Sequence, residues 1–420
     1  MLALVLTLLL APPAASRGKD LAIEDPSQRA LAHFHEALGQ TAKKKHTTRI
    51  LWFGASHTAA DLMTGRIRSR LQRQFGDAGH GFFMPAKPWS SYRHTGLVFD
   101  RPTAKRHHWH WDFVRETPRC HDDGYFGLAG MSVLAKSKDA WARIATRDRG
   151  KTLTRAGRFE LHWLGQRKGG DLLVSFDGAA PVRLRTAGRG LGTFTKTLSD
   201  GPHQIELRPK GNGEVRLLGA VLERRTPGVV LDVLGINGSR ARSLLQWNDA
   251  LFSTVVARRK PDLVVMAYGT NESGDVDDPI ETYEEELVDA LRKLRRAAPD
   301  ASCLLVGPSD RPIRPLAVQP RPAPKKRNKK APEKPLEPPV ISFKHRERED
   351  AVIATQRRVA ARFGCGFWDT RAATGGPFSI VSWVDEVPAL AAPDFVHFTR
   401  RGYRILGDLL VSALLRGTRL

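Results

Sequence analysis

Hydrophobic and polar positions change period repeatedly along the chain. Residues 49–54 (RILWFG), 229–236 (VVLDVLGI), 261–268 (PDLVVMAY), 301–306 (ASCLLV) and 365–368 are short apolar runs. Runs of that length predict strands covered on both faces. Longer stretches of helical spacing lie between them. Residues 58–75 place Leu62, Ile67, Leu71 and Phe75 on one face, and 243–259 and 346–363 also read as helices. Residues 279–297 are strongly amphipathic, with Glu284, Glu285 and Glu286 early and Arg292, Arg295 and Arg296 late. That order suits the helix dipole. Residues 399–415 predict a closing helix with Thr399 as its N-cap. Strands interleaved with helices of this length imply a three-layer α/β architecture around a parallel sheet.

Two segments interrupt the alternation. Within 79–225, period-2 runs at 158–164, 171–176, 182–185, 193–198, 203–207 and 214–222 are separated by Gly-, Asp- and Asn-rich turns. They predict a β-sandwich inserted between the first and second strands of the α/β part. The expected organisation is therefore 17–78 and 226–420 for the α/β domain and 79–225 for the insert. The second interruption, 311–346, holds 9 of the 27 prolines and the basic run Lys325-Lys-Arg-Asn-Lys-Lys330. Such composition does not bury a core and predicts a disordered loop.

Charge then needs placing. The net charge is +23, which invites a nucleic-acid reading. Residues 311–346 carry eleven Lys and Arg against two Glu, so nine of those units belong to the loop. The chain shows no interleaved aromatic and basic motif of a nucleic-acid-binding fold, so no nucleic-acid partner is expected. Attraction to an anionic cell-wall polymer and an ordinary basic surface remain. Residues 2–10 are almost wholly apolar and are followed by Ala11-Pro-Pro-Ala-Ala-Ser16. A run of about ten is too short to span a bilayer and fits a signal peptide over 1–16. The expected location is extracytoplasmic, with no transmembrane span in the mature chain.

Candidate chemistry gathers at strand ends. The first strand runs into Phe53-Gly-Ala-Ser56-His-Thr, where a helix N-terminus offers N–H groups to a developing oxyanion. Ser56 is also a natural helix cap. The second strand ends in Leu234-Gly-Ile-Asn-Gly238 and the third in Tyr268-Gly-Thr-Asn271. The Gly238 N–H and the Asn271 amide can both face a substrate oxygen. Ordinary turn chemistry favours the same residues. Asp394-Phe-Val-His397 precedes the last helix. An Asp three residues before a His can orient the imidazole for proton transfer, and a satisfied structural histidine is the equal alternative.

Taken in order, Ser56, Gly238, Asn271 and Asp394-x-x-His397 resemble the signature of the SGNH (GDSL-type) hydrolase superfamily. The resemblance implies a flavodoxin-like sheet and a triad of Ser56, His397 and Asp394. It also implies an oxyanion hole from the Ser56 N–H, Gly238 and Asn271, and no metal or organic cofactor. The family's usual Gly-Asp-Ser reads Gly54-Ala55-Ser56 here, although that Asp is not a triad member. The insert and the phrases GASHTAADLMTGRIRSRLQRQFGDAGHGF and GINGSRA are similar to bacterial peptidoglycan O-acetylesterases, whose insert resembles a carbohydrate-binding module. The resemblance implies an exported serine esterase acting on an acetylated polysaccharide or another acyl ester. Its alternatives are an O-acetyltransferase, an esterase or lipase for another acyl group, and a silent wall-binding protein.

Other residues carry plainer readings. Trp89, Tyr92, Trp109 and Trp111 are expected to pack rather than stack on sugars. His107, His108 and His110 near Cys120 match no metal-ligand spacing. His57 is expected to face away along its helix. Cys303 and Cys365 are expected as buried thiols, and Cys120 has no evident partner.

Overall fold

The computed structural model describes residues 18–113, 123–146, 155–314 and 343–418. A five-stranded parallel sheet forms the α/β part. Its strands are β1 (Thr48–Gly54), β2 (Val229–Gly235), β3 (Leu263–Ala267), β4 (Ser302–Val306) and β5 (Gly366–Trp368), in the spatial order β2-β1-β3-β4-β5. This is the flavodoxin-like order, and ligands bind such sheets at the carboxyl ends of the strands where the order reverses. Ile50 and Trp52 of β1 enter one core while Leu51 and Phe53 enter the other. Alternation across a sheet covered on both faces explains why the strands read as continuous apolar runs.

Helices α1 (Ala32–Ala42), α2 (Ser56–Ala59), α3 (Met63–Phe75), α4 (Asp249–Arg259), α5 (Ile280–Ala297), α6 (Glu347–Arg362), α7 (Thr370–Thr374), α8 (Ser379–Asp385) and α9 (Arg400–Leu415) surround the sheet. The Thr399 hydroxyl caps α9 by accepting the Gly402 N–H. The stretch expected as one helix over 58–75 is two, because Asp61 takes a left-handed φ of 44° between α2 and α3. The stretch 243–259 is likewise divided into a 3₁₀ turn, Ala241–Gln246, and α4, which Asn248 caps through the Leu251 N–H. Helices α1, α7 and α8 add to the elements expected.

Between β1 and β2 the chain builds two antiparallel sheets. One contains Gly190–Gly201, Ala156–Gly165, Val215–Glu223, Met131–Ala135 and His110–Phe113, with Gly79–Phe83 also pairing with Val215–Glu223. The other contains Leu97–Asp100, Ala142–Thr146, Gln204–Pro209, Asp171–Phe176 and Val182–Arg185. Phe159 and Phe176 meet across them at 5.5 Å between ring centroids. The front of the insert adds four short strands to these sheets.

Two expectations change. Cys303 and Cys365 form a disulfide rather than standing as thiols. Leu304 pairs with Gly366 in the parallel register, which sets the preceding cysteines opposite each other. The segment 311–346 is anchored at both ends, where Ile313 and Lys344 form an antiparallel bridge. Its residues 315–342, the segment 1–16 and Cys120 lie outside the described residues. Among the described residues no helix is long and apolar enough to cross a membrane.

Candidate active site

The turn from β1 into α2 is tightly built. A Cβ at Gly54 would lie 2.2 Å from the Thr58 hydroxyl and 2.8 Å from the Ala267 carbonyl, so only glycine fits. Ala55 occupies the N-cap position and has no side-chain acceptor. Ser56 is therefore the first helical residue and not the cap. Among the described residues no acceptor takes the Ser56 N–H, which leaves it at the positive end of the helix.

The loop before α9 brings the other two residues to this serine. His397 Nε2 lies 2.8 Å from Ser56 Oγ, and its Nδ1 lies 2.7 Å from Asp394 Oδ2. The His397 and Val396 N–H groups donate to Asp394 Oδ1 at 2.9 and 3.0 Å. Phe395, at a left-handed φ of 54°, turns the loop so that both amides reach one oxygen. Burial pushes the Asp394 carboxyl up, but these hydrogen bonds outweigh it and hold the group below its ordinary range. The Phe395 ring is gripped by Phe343 at 4.7 Å and by the Arg314 guanidinium at 4.9 Å. Those are the residues flanking 315–342.

Gly238 and Asn271 sit on the loops following β2 and β3. Gly238 is exposed with a φ of 76°, and a Cβ there would meet open space. Its requirement is conformational. Asn271 Nδ2 donates to the Ser239 carbonyl at 2.8 Å, which ties the two loops and leaves the second amide hydrogen for a ligand.

Sequence reasoning missed the parts that hold this site. Glu272 is buried, and its two oxygens accept the Ala241 and Gly269 N–H groups, each at 2.9 Å. It clamps the Gly238 and Asn271 loops, and burial pushes its carboxyl up. Its only sequence signal is its place next to Asn271. Arg240 and Asp275 form a bidentate pair across the same loops. On the serine side, buried Asp61 pairs with Arg68 at 2.9 Å and His94 at 3.1 Å, and accepts the Thr95 N–H. Burial pushes Asp61 up, but the Arg68 and His94 interactions prevail and hold it low. This network fastens the 94–95 segment of the insert to the α2–α3 turn.

His57 does not face away. Its ring lies 5.1 Å from that of His397, its Nδ1 is 2.8 Å from the Tyr403 hydroxyl, and its Nε2 is 3.4 Å from Ser309 Oγ. Withdrawal from solvent, then the neighbouring His397 charge, lowers it to about 3, so the ring is neutral. Trp109 is buried, and Trp89, Tyr92 and Trp111 pack half-buried against the core. Among the described residues no three His, Cys, Asp or Glu side chains group as metal ligands.

Comparison with known proteins follows this geometry. The profile of the GDSL-like lipase/acylhydrolase family matches residues 186–405. That stretch holds Gly238, Asn271, Asp394 and His397, while Ser56 lies before it. A solved peptidoglycan O-acetylesterase is 23% identical and superposes with a TM-score of 0.73 over 94% of this chain and 99% of its own. That likeness establishes the fold. A family two carbohydrate esterase from Cellvibrio japonicus is 11% identical, over 76% of this chain and 98% of its own, with a TM-score of 0.28. No curated protein matches the chain.

Proposed function

The chain belongs to the GDSL-like lipase/acylhydrolase family, a carboxylic ester hydrolase by that membership, and we propose that it is an exported serine esterase removing O-acetyl groups from a cell-wall polysaccharide. The observation that carries this reading is the unbroken chain Ser56 Oγ–His397–Asp394, with contacts of 2.8 and 2.7 Å at the carboxyl edge of the sheet. Ser56 Oγ attacks the acetyl carbonyl and its proton passes to His397 Nε2. Asp394 holds the imidazole by Nδ1 and stabilises its charged form. The Ser56 and Gly238 N–H groups and the free Asn271 amide hydrogen receive the oxyanion. His397 then protonates the departing sugar oxygen, leaving acetyl-Ser56. Water attacks this ester, gives its proton to His397, and acetate leaves as Ser56 recovers its hydrogen.

Two observations support the finer parts. The Cys303–Cys365 disulfide suits an oxidising, extracytoplasmic compartment, as does the apolar run at 2–10. The 23% identical peptidoglycan O-acetylesterase shares the fold across nearly the whole chain, insert included. Acetate release from O-acetylated peptidoglycan, set against acetylated xylan and an octanoyl ester, tests the reading. The wild type is expected to prefer the acetylated wall polymer, and Ser56→Ala protein is expected to release no acetate and to escape a fluorophosphonate probe. Full activity in Ser56→Ala would overturn it.

A further inference from the structure

A groove of about 270 Å³ runs beside the site, over the surface where the insert meets α3 and α9, and Lys87, Tyr92, Arg93, Thr95 and Arg400 line it. Its floor is firm. The Thr95 hydroxyl donates to the Asp61 carbonyl at 2.8 Å, and beneath it Asp61 is locked to Arg68. The Tyr92 hydroxyl is fixed by the Met84 N–H at 2.8 Å, and Trp89 packs on the Tyr92 ring at 5.3 Å. Arg400 lies three residues beyond His397, and the Arg93 charge reaches the buried Tyr403 phenol that holds His57. The groove therefore reaches the start of α3, through Leu62, and the start of α9, through Arg400, the helices that follow Ser56 and His397 in the chain.

Its cations differ from several arginines around them. Arg66 and Arg70 pair with Asp408, Arg68 with Asp61 and Arg240 with Asp275. Among the described residues Lys87, Arg93 and Arg400 have no carboxylate partner. Arg400 also stands in the first turn of α9, which has no acidic residue to offset the positive end of the helix. Three cations from two segments, the loop 84–96 and the start of α9, thus line one groove, and among the described residues no carboxylate neutralises them. Exposed cations gain little from water-separated neighbours, and a compact anion in the groove would contact all three.

We propose that this groove is a substrate subsite for an anionic group carried on the acylated glycan, so that the enzyme selects charged over neutral polysaccharides. The inference rests on the esterase reading and adds the substrate's charge to it. The acyl group enters at Ser56 while a carboxylate or phosphate further along the chain lies against Arg93, Arg400 and Lys87.

The test compares an acetylated polygalacturonate with acetylated xylan, using wild type, the triple variant Lys87→Ala/Arg93→Ala/Arg400→Ala, and Arg93→Gln alone. Each exposed ionic contact contributes roughly threefold, so the triple variant should lower the charged-over-neutral ratio of kcat/KM by about thirtyfold, through KM. Arg93→Gln, which leaves the packing intact, should move the ratio the same way by about threefold. Added salt should erode the wild-type ratio and leave that of the triple variant flat. Competition by unacetylated galacturonate oligomers or by glycerol phosphate oligomers identifies the anion as carboxylate or phosphate. Equal losses on both polymers, or a wild type without preference for charge, would overturn the proposal. Should the wild type cleave no acetyl ester, the esterase reading fails by itself. The groove is then judged by galacturonate binding, which must be present in wild type and weakened in Arg93→Gln.

Discussion

On the serine side of the cleft, Asp61 and Asp394 are held below their ordinary range, whereas on the Asn271 side Glu272 and Glu349 are pushed above theirs. All four suffer from burial, so burial does not explain the difference. Asp61 meets Arg68 and His94, and Asp394 meets the His397 ring and two N–H groups. Glu272 meets two backbone N–H groups, and Glu349 meets one N–H with Arg371 at a loose 3.4 Å while Asp310 opposes its charge. The two acids on the serine side are thus held by paired charge, and the two raised acids on the Asn271 side mainly by backbone amides, beside the Arg240–Asp275 pair. A fall in pH loads the second side first.

The largest test of this contrast is catalytic. His397→Ala removes the proposed base and is expected to lower kcat by about four orders of magnitude. Asn271→Ala removes one proposed oxyanion donor and is expected to cost about two to three orders. Steady-state kinetics on p-nitrophenyl acetate checks both. Equal losses would mean that the two sides do not divide the labour as proposed. Next in size is Asp61→Asn, which leaves the fully buried Arg68 without its counter-charge. Breaking such a pair costs about 3–5 kcal/mol, to be read as a lowered urea midpoint.

Much of this was legible from residue order alone. The five strands of the parallel sheet appear as apolar runs because both faces are covered, and Ser56, Gly238, Asn271 and the Asp394–His397 pair stand out because each follows a strand or precedes a helix. What was not legible depends on partners distant in sequence. The Cys303–Cys365 bond spans 62 residues and follows only from the β4–β5 register. The break at Asp61 needs Thr95 and Arg68 to be in place, and it leaves α2 so short that His57 turns toward His397. Glu272 is polar, buried and held by two backbone N–H groups, a combination that a pattern of apolar positions assigns to a surface.

A third prediction concerns pH. Glu349 is pushed from 4.5 up to about 7 by burial and then by the Asp310 charge. The folded protein therefore holds this proton more tightly than the unfolded chain. Its contribution to stability is full below pH 4.5 and is lost as pH rises through about 7. One group of this kind is worth at most about 3 kcal/mol. In Glu349→Gln the corresponding slope of melting temperature against pH should vanish across that window, while an equal slope in both proteins would remove Glu349 from the account. Because Arg311 joins Glu349 through its N–H and Thr270 through its guanidinium, activity in Glu349→Gln should become less sensitive to the same change.

The smallest expected effect is the sharpest on the clamp itself. Glu272→Gln keeps the shape and one accepting oxygen, but sets an NH₂ against either the Ala241 or the Gly269 N–H. One buried hydrogen bond is lost, about 1–2 kcal/mol. If the carboxylate serves only to hold the fold, that cost appears as stability and kcat is unmoved. If it positions Gly238 and Asn271 for the oxyanion, kcat falls by up to about tenfold with little change in KM, because a donor misplaced toward the transition state is not missed in the ground state. Asp61→Asn should show the reverse division, a large loss of stability with a smaller effect on kcat at temperatures where it stays folded. The two kcat-to-stability ratios, measured side by side, decide whether the Asn271 side is held for chemistry and the serine side for architecture.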